Sequence, residues 1–111
     1  MVAESLDALK SEFFRSLAHP ARIRILELLV AGDRSVTELL PAVGVEASNL
    51  SQQLGVLRRA GIVNACRQGN SVTYSIGSPY IAELLAVART VLSGRLNEQV
   101  DALERSEVET S

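Results

Sequence analysis

Residues 47–61 read Ala-Ser-Asn-Leu-Ser-Gln-Gln-Leu-Gly-Val-Leu-Arg-Arg-Ala-Gly, and the fold is decided here. Leu50, Leu54 and Leu57 recur at spacings of four and three, which is one stripe of an α-helix. A helix over Ala47–Ala60 is therefore expected, with its leucines turned inward. Ser48, Asn49, Ser51, Gln52 and Gln53 are left for the other side, polar and uncharged. Gly61 ends the helix, and the pattern then changes to two β-like runs, Ile62–Arg67 and Ser71–Ile76, joined by Gln68, Gly69 and Asn70, a hairpin signal.

Upstream, Ser35 can cap a shorter helix with Glu38 as its capping-box partner, and Val36, Leu39, Leu40 and Val43 supply an apolar face. Gly44 breaks that helix. Pro41 lies inside it, costs one backbone hydrogen bond and is expected to bend it. Before it, Pro20 suits the first turn of a helix over Ala21–Ala31 that is apolar on nearly every side and so central, stopped by Gly32 and Asp33. The first helix carries Leu6, Leu9, Phe13 and Leu17 on one face and ends near His19 and Pro20. Pro79 can open the last, whose stripe of Ile81, Leu84, Leu85, Ala88, Leu92, Leu96, Val100 and Leu103 runs for roughly six turns. That stripe outruns a domain of this size, which points to a dimer. The expected organisation is one domain over 1–105 and an acidic, disordered tail over 106–111.

With 111 residues, 47% of them hydrophobic, the chain suits one compact domain. Its net charge of -2 would argue against a partner made of phosphates. The distribution argues the opposite. Between Ala47 and Ala82 there is no Asp or Glu, and Arg58, Arg59 and Arg67 make that stretch positive, whereas from Glu98 onward five acids face Arg105 alone. The single cysteine, Cys66, excludes an internal disulfide and is too few for a structural zinc site. One histidine, His19, has no second ligand near it in sequence and reads as a helix-end or packing residue. No nucleophile–base spacing and no phosphate-binding glycine loop is present, so no enzyme activity and no cofactor is expected. Without an export signal or a long apolar run, a cytoplasmic location and no membrane contact are expected.

A mainly α chain in which two helices are joined by a tight glycine-containing turn, and the second is followed by a β-hairpin, has the order of a winged helix-turn-helix, α1-α2-α3-α4-β-β-α5. The chemistry fits DNA. A major groove about 12 Å wide admits a helix, and Asn, Gln and Ser reach base edges there. Arg58, Arg59 and the wing residue Arg67 can hold phosphates, as can the amides and helix dipole at Glu46–Ser48.

Three runs carry a family resemblance: Leu17-Ala18-His19-Pro20-Ala21-Arg22-Ile23-Arg24-Ile25-Leu26, then Ser48-Asn49-Leu50-Ser51-Gln52-Gln53-Leu54, then Leu57-Arg58-Arg59-Ala60-Gly61-Ile62-Val63. Their order and spacing over about Leu6–Leu96 resemble the bacterial ArsR family of transcriptional regulators. The resemblance implies a homodimer formed through the first and last helices, with Leu6, Leu9, Phe13, Ile81, Leu84, Leu85, Ala88, Leu92 and Leu96 at the interface, repressing from a palindromic operator. It puts Ser48, Ser51 and Gln52 opposite bases, with Asn49 and Gln53 as neighbouring candidates, and Arg67 and Asn70 of the wing near the flanking backbone or minor groove. Two features depart from the family's metal sensors. Where thiolate sensors carry cysteine this chain reads Glu27-Leu28-Leu29-Val30-Ala31-Gly32, and Tyr80–Leu103 contains no histidine for a zinc or cobalt site, while Glu83, Glu98 and Asp101 are too far apart to replace it. No metal at those sites is expected, and the nature of an inducer stays open. Two other readings stand beside this one: a winged domain that binds a protein partner, and a repressor triggered by oxidation of Cys66.

Overall fold

The computed structural model describes residues 5–110, and at positions 100, 103, 104 and 106–110 only the backbone. Five helices and three strands follow in the order α1 (Leu6–Leu17), α2 (Pro20–Ala31), β1 (Arg34–Ser35), α3 (Val36–Val43), α4 (Ala47–Arg59), β2 (Val63–Gln68), β3 (Ser71–Ile76) and α5 (Pro79–Thr110). This is the winged helix-turn-helix expected from the sequence, with one strand more.

Local chemistry sets the boundaries. Ser5 Oγ accepts from the Ala8 amide at 3.1 Å and opens α1. His19 caps α2, its Nδ1 accepting from the Ala21 amide at 3.0 Å, with Pro20 in the first turn where its missing N–H costs nothing. At α3 the capping box is complete. The Glu38 amide donates to Ser35 Oγ at 3.2 Å, and the Ser35 amide donates back to Glu38 Oε1 at 3.0 Å. That backbone donor, joined by the Ser35 hydroxyl, holds the Glu38 carboxyl below the usual glutamate range. Gly44 ends α3 at φ 77°, a left-handed conformation natural to glycine. Pro41 is accommodated inside α3 on its exposed side.

The added strand, β1, has two residues and pairs antiparallel with β3, Arg34 opposite Tyr74 and Ser35 opposite Thr73, giving the sheet order β1-β3-β2. Two residues are too few to show a period of two in a sequence, and this pairing exists only because α2 delivers the chain to the free edge of β3. Ser35 thus pairs in the sheet and caps α3 at once. The β2–β3 hairpin closes with Gln68 opposite Ser71, and Gly69, at φ 62°, leads its two-residue turn.

Helix α2 is central, as its all-round apolarity predicts: Ile25, Leu26 and Leu29 are buried, and it packs against α3, α4 and β3. Leu39 of α3, Leu50, Leu54 and Leu57 of α4, and Ile62 and Val63 at the root of the hairpin complete the core. Gly77 lets the chain leave β3 close to the end of α4. Its amide donates to the Ile62 carbonyl at 2.8 Å, and a Cβ there would lie 2.7 Å from the Gly61 carbonyl oxygen.

The chain divides after Ile81 into two compact units. The second is helical, and α5 continues to Thr110 over 32 residues. The helix thus runs through positions 106–110, which were expected to be a disordered tail. A polar, acidic composition lacks an apolar face but contains no glycine or proline to stop a helix already under way. Ser111 lies outside the described residues, as do the side chains of Val100 and Leu103.

Candidate nucleic-acid interface

Helices α3 and α4, joined by Gly44, Val45 and Glu46, form the helix-turn-helix, and both pack on α2. The buried stripe of α4 fixes its rotation about its own axis. Ser48, Ser51 and Gln52 are consequently exposed on one side, and Asn49 is half-buried. Glu46 occupies the N-cap without a side-chain hydrogen bond, so the first-turn amides of α4 have no side-chain acceptor there. Arg58 and Arg59 close the helix and are exposed. At the wing, Arg67, Gln68, Gly69 and Asn70 are all exposed.

Gln53 is a correction to the sequence reading, which placed it on the polar face. It is only 5% exposed. Its Oε1 accepts from Arg22 Nη1 at 2.9 Å and its Nε2 donates to Asn49 Oδ1 at 2.9 Å, so its amide is committed inside the protein. The signal was present in the spacing. Leu50, Gln53, Leu54 and Leu57 form the series i, i+3, i+4, i+7, and a residue in that series faces the core whatever its polarity. Arg22, given no role by the sequence, is the half-buried partner that makes a glutamine tolerable there. Cys66, opposite Thr73 in the hairpin, is exposed, as are Arg67 and Gln68 after it on β2.

The chain matches the model of the bacterial regulatory proteins of the arsR family over residues 19–65, from the cap of α2 into β2. It is 67% identical to the uncharacterized HTH-type transcriptional regulator Rv0081 of Mycobacterium tuberculosis, over 94% of this chain and 92% of that one. The chain belongs to the ArsR family. A crystal structure of Rv0081 superposes with a TM-score of 0.81 at 68% identity, covering 88% of this chain and 99% of that one. The homodimeric winged helix-turn-helix DNA-binding domain of Mb0332 from Mycobacterium bovis, at 30% identity, covers 88% and 95% with a TM-score of 0.73. A biofilm growth-associated repressor of Xylella fastidiosa is 36% identical over 73% of this chain and 71% of its own. As a member of the ArsR family, the protein is a DNA-binding transcriptional regulator.

The residues expected at an ArsR-type dimer interface fall into two groups. Leu6, Leu9, Ala88, Leu92 and Leu96 are exposed, with Leu92 at 54% and Leu96 at 58%, and Phe13 and Leu84 are half-buried. Ile81 and Leu85 are each only 7% exposed in the single chain, so they have little left to offer a partner. The sequence stripe merged two adjacent rows of α5. One row, with Ile81 and Leu85, is buried within the chain, and the other presents Leu84, Val87, Ala88, Val91 and Leu92 at spacings of three and four. Val87, Val91 and, on α1, Phe14 are exposed apolar residues that the periodicity did not single out. Among the described residues no group of three or more His, Cys, Asp and Glu could hold a metal ion, and no helix is long and apolar enough to cross a membrane.

Proposed function

We propose that this ArsR-family protein is a cytoplasmic repressor that occupies a palindromic operator as a homodimer, reading bases with Ser48, Ser51 and Gln52 and holding phosphates with Arg58, Arg67 and the first-turn amides of α4. One observation carries the reading. The exposed side of α4 and the whole wing tip form a surface with no acidic side chain between Ala47 and Ala82, on a protein whose net charge is negative. A polar, uncharged helix face with arginines at its flanks can approach a polyanion and still discriminate between base edges. Asn49, half-buried and holding the Gln53 amide, is a secondary base contact at most, and Asn70 sits beside Arg67 at the backbone or minor groove.

Dimerisation sets the spacing of the two recognition helices at about 34 Å, one turn of DNA, which makes the operator an inverted repeat. The exposed apolar residues of α1 and of the outer row of α5 support it, since solvated leucines and valines at helical spacing gain by meeting a second copy. The homodimeric state of the Mycobacterium bovis domain and the repressor role of the Xylella fastidiosa protein are in line with this reading. The signal that releases the operator is not a metal held at the family's usual sites.

Selection of bound sequences from random duplex DNA by the purified protein, with the mass of the complex recorded, tests the proposal. An enriched inverted repeat bound by two copies is expected. On that operator Gln52→Ala should cost about 1 to 3 kcal/mol and relax base preference, whereas Arg67→Ala should weaken all sequences alike and reduce the salt dependence. A folded dimer that enriches no sequence would refute operator recognition.

A further inference from the structure

We propose that a polar pocket bounded by α1, α2 and α4 binds a small zwitterionic metabolite of the α-amino-acid type, and that its occupancy is relayed through Arg22 and Gln53 to the recognition helix. The second half rests on the DNA-binding reading above; the first does not.

The pocket has a volume of about 340 Å³ and is lined by Glu12, Arg15 and Ser16 of α1, Arg22 of α2 and Val56 of α4. That is the lower end of the range for small-molecule sites. Glu12, Arg15 and Ser16 stand at i, i+3 and i+4, which brings a carboxylate, a guanidinium and a hydroxyl to one face of α1. Arg15 is about half a turn round the helix from Leu6, whereas Glu12 and Ser16 stand beside Leu9 and Phe13, so this face borders the α1 residues assigned to the dimer.

One donor of the Arg22 guanidinium is unpaired but enclosed by protein, so a ligand in the pocket reaches it only as the guanidinium turns. Arg22 Nη1 donates to Gln53 Oε1 and Nη2 donates to the Arg15 carbonyl at 3.3 Å, but its Nε is buried and has no acceptor. A buried charged N–H without a partner is costly, and a carboxylate oxygen is the acceptor that guanidinium geometry favours. Among the described residues no ion pair joins Glu12 to either arginine. Two guanidinium groups for a carboxylate, a carboxylate for an ammonium group and Val56 for a small apolar substituent fit a zwitterion. A simple oxyanion would leave Glu12 opposed to it.

Arg22 also ends a chain of hydrogen bonds that leads into α4. Gln53 accepts from Arg22 and donates to Asn49, which lies between Ser48 and Leu50 on the helix with the exposed polar face. A ligand carboxylate that draws the Arg22 guanidinium toward itself takes the donor from Gln53 Oε1. A buried amide re-pairs instead of staying open, so Gln53 and Asn49 rearrange and α4 with them.

Titration calorimetry of the dimer with the standard L-amino acids one at a time, their N-acetyl derivatives and inorganic phosphate tests the pocket. At least one free amino acid should bind, its N-acetyl derivative should not, and Arg15→Met and Glu12→Gln should each abolish binding while operator affinity without ligand is retained. Binding of phosphate or the N-acetyl derivative as tightly as the free amino acid, binding that survives in Arg15→Met, or no binding by any of them overturns the assignment. The relay is read separately. The bound amino acid should change operator affinity by about 5- to 150-fold, and operator DNA should change its affinity by the same factor. Ligand binding with unaltered operator affinity overturns the relay alone, and absent operator binding without ligand counts against the DNA-binding reading instead.

Discussion

Replacing Gln53 by alanine separates a structural glutamine from a DNA-reading one. The substitution removes the acceptor of Arg22 Nη1 and the donor to Asn49 Oδ1, both at 2.9 Å. The first is a hydrogen bond to a charged group, worth about 1.5 to 3 kcal/mol, and the second a neutral one worth about 1 kcal/mol. Arg22 is half-buried, so water reaches part of the orphaned guanidinium and returns some of that energy. A net loss of about 2 to 3 kcal/mol is expected, a fall in Tm of roughly 6 to 15 °C for a domain of this size. Scanning calorimetry at fixed protomer concentration is the assay, because Tm of a dimer moves with concentration. Gln52→Ala, one residue away and exposed, is the control and should leave Tm within the change of about 0.5 kcal/mol typical of surface sites. If Gln53→Ala melts with the wild type and instead loses base preference, the buried placement of Gln53 is wrong.

Gly77→Ala should destabilise by about 1 to 3 kcal/mol in denaturant titration, since its Cβ would press on the Gly61 and Ile62 carbonyl oxygens, which are backbone atoms with little room to yield; wild-type stability would contradict the close approach. Glu38 has its carboxyl held low in the folded protein by the Ser35 amide, so its stabilising contribution is full above the ordinary glutamate range and is lost as pH falls through the depressed folded value. The melting difference between wild type and Glu38→Gln should accordingly shrink toward acid, and a pH-independent difference would count against the capping box as its source. Leu92→Glu puts a charge on the outer row of α5 and should give monomers in sedimentation at concentrations where the wild type is dimeric; an unaltered dimer would move the interface elsewhere.

Much of the fold was legible because it is written in short periods. Leucines at spacings of three and four gave α4, Ser35 with Glu38 gave the start of α3, and Gly61 and Gly69 marked the end of α4 and the turn of the wing. Each is a local preference that acts between residues a few positions apart, and it holds whatever surrounds it. The arginines of α4 and the wing, and the acid-free stretch around them, were likewise visible as charge placed along the chain.

Tertiary packing alone settled which polar residues are free. Gln53 looked like Gln52 until Arg22, thirty-one positions away, proved to be its partner. The strand at Arg34–Ser35 exists because β3 offers an edge, and the two rows of α5 became distinct because one of them is already buried. A sequence pattern specifies a helix and its apolar stripe, but burial belongs to pairs of surfaces, and the identity of the second surface is decided only when distant segments meet.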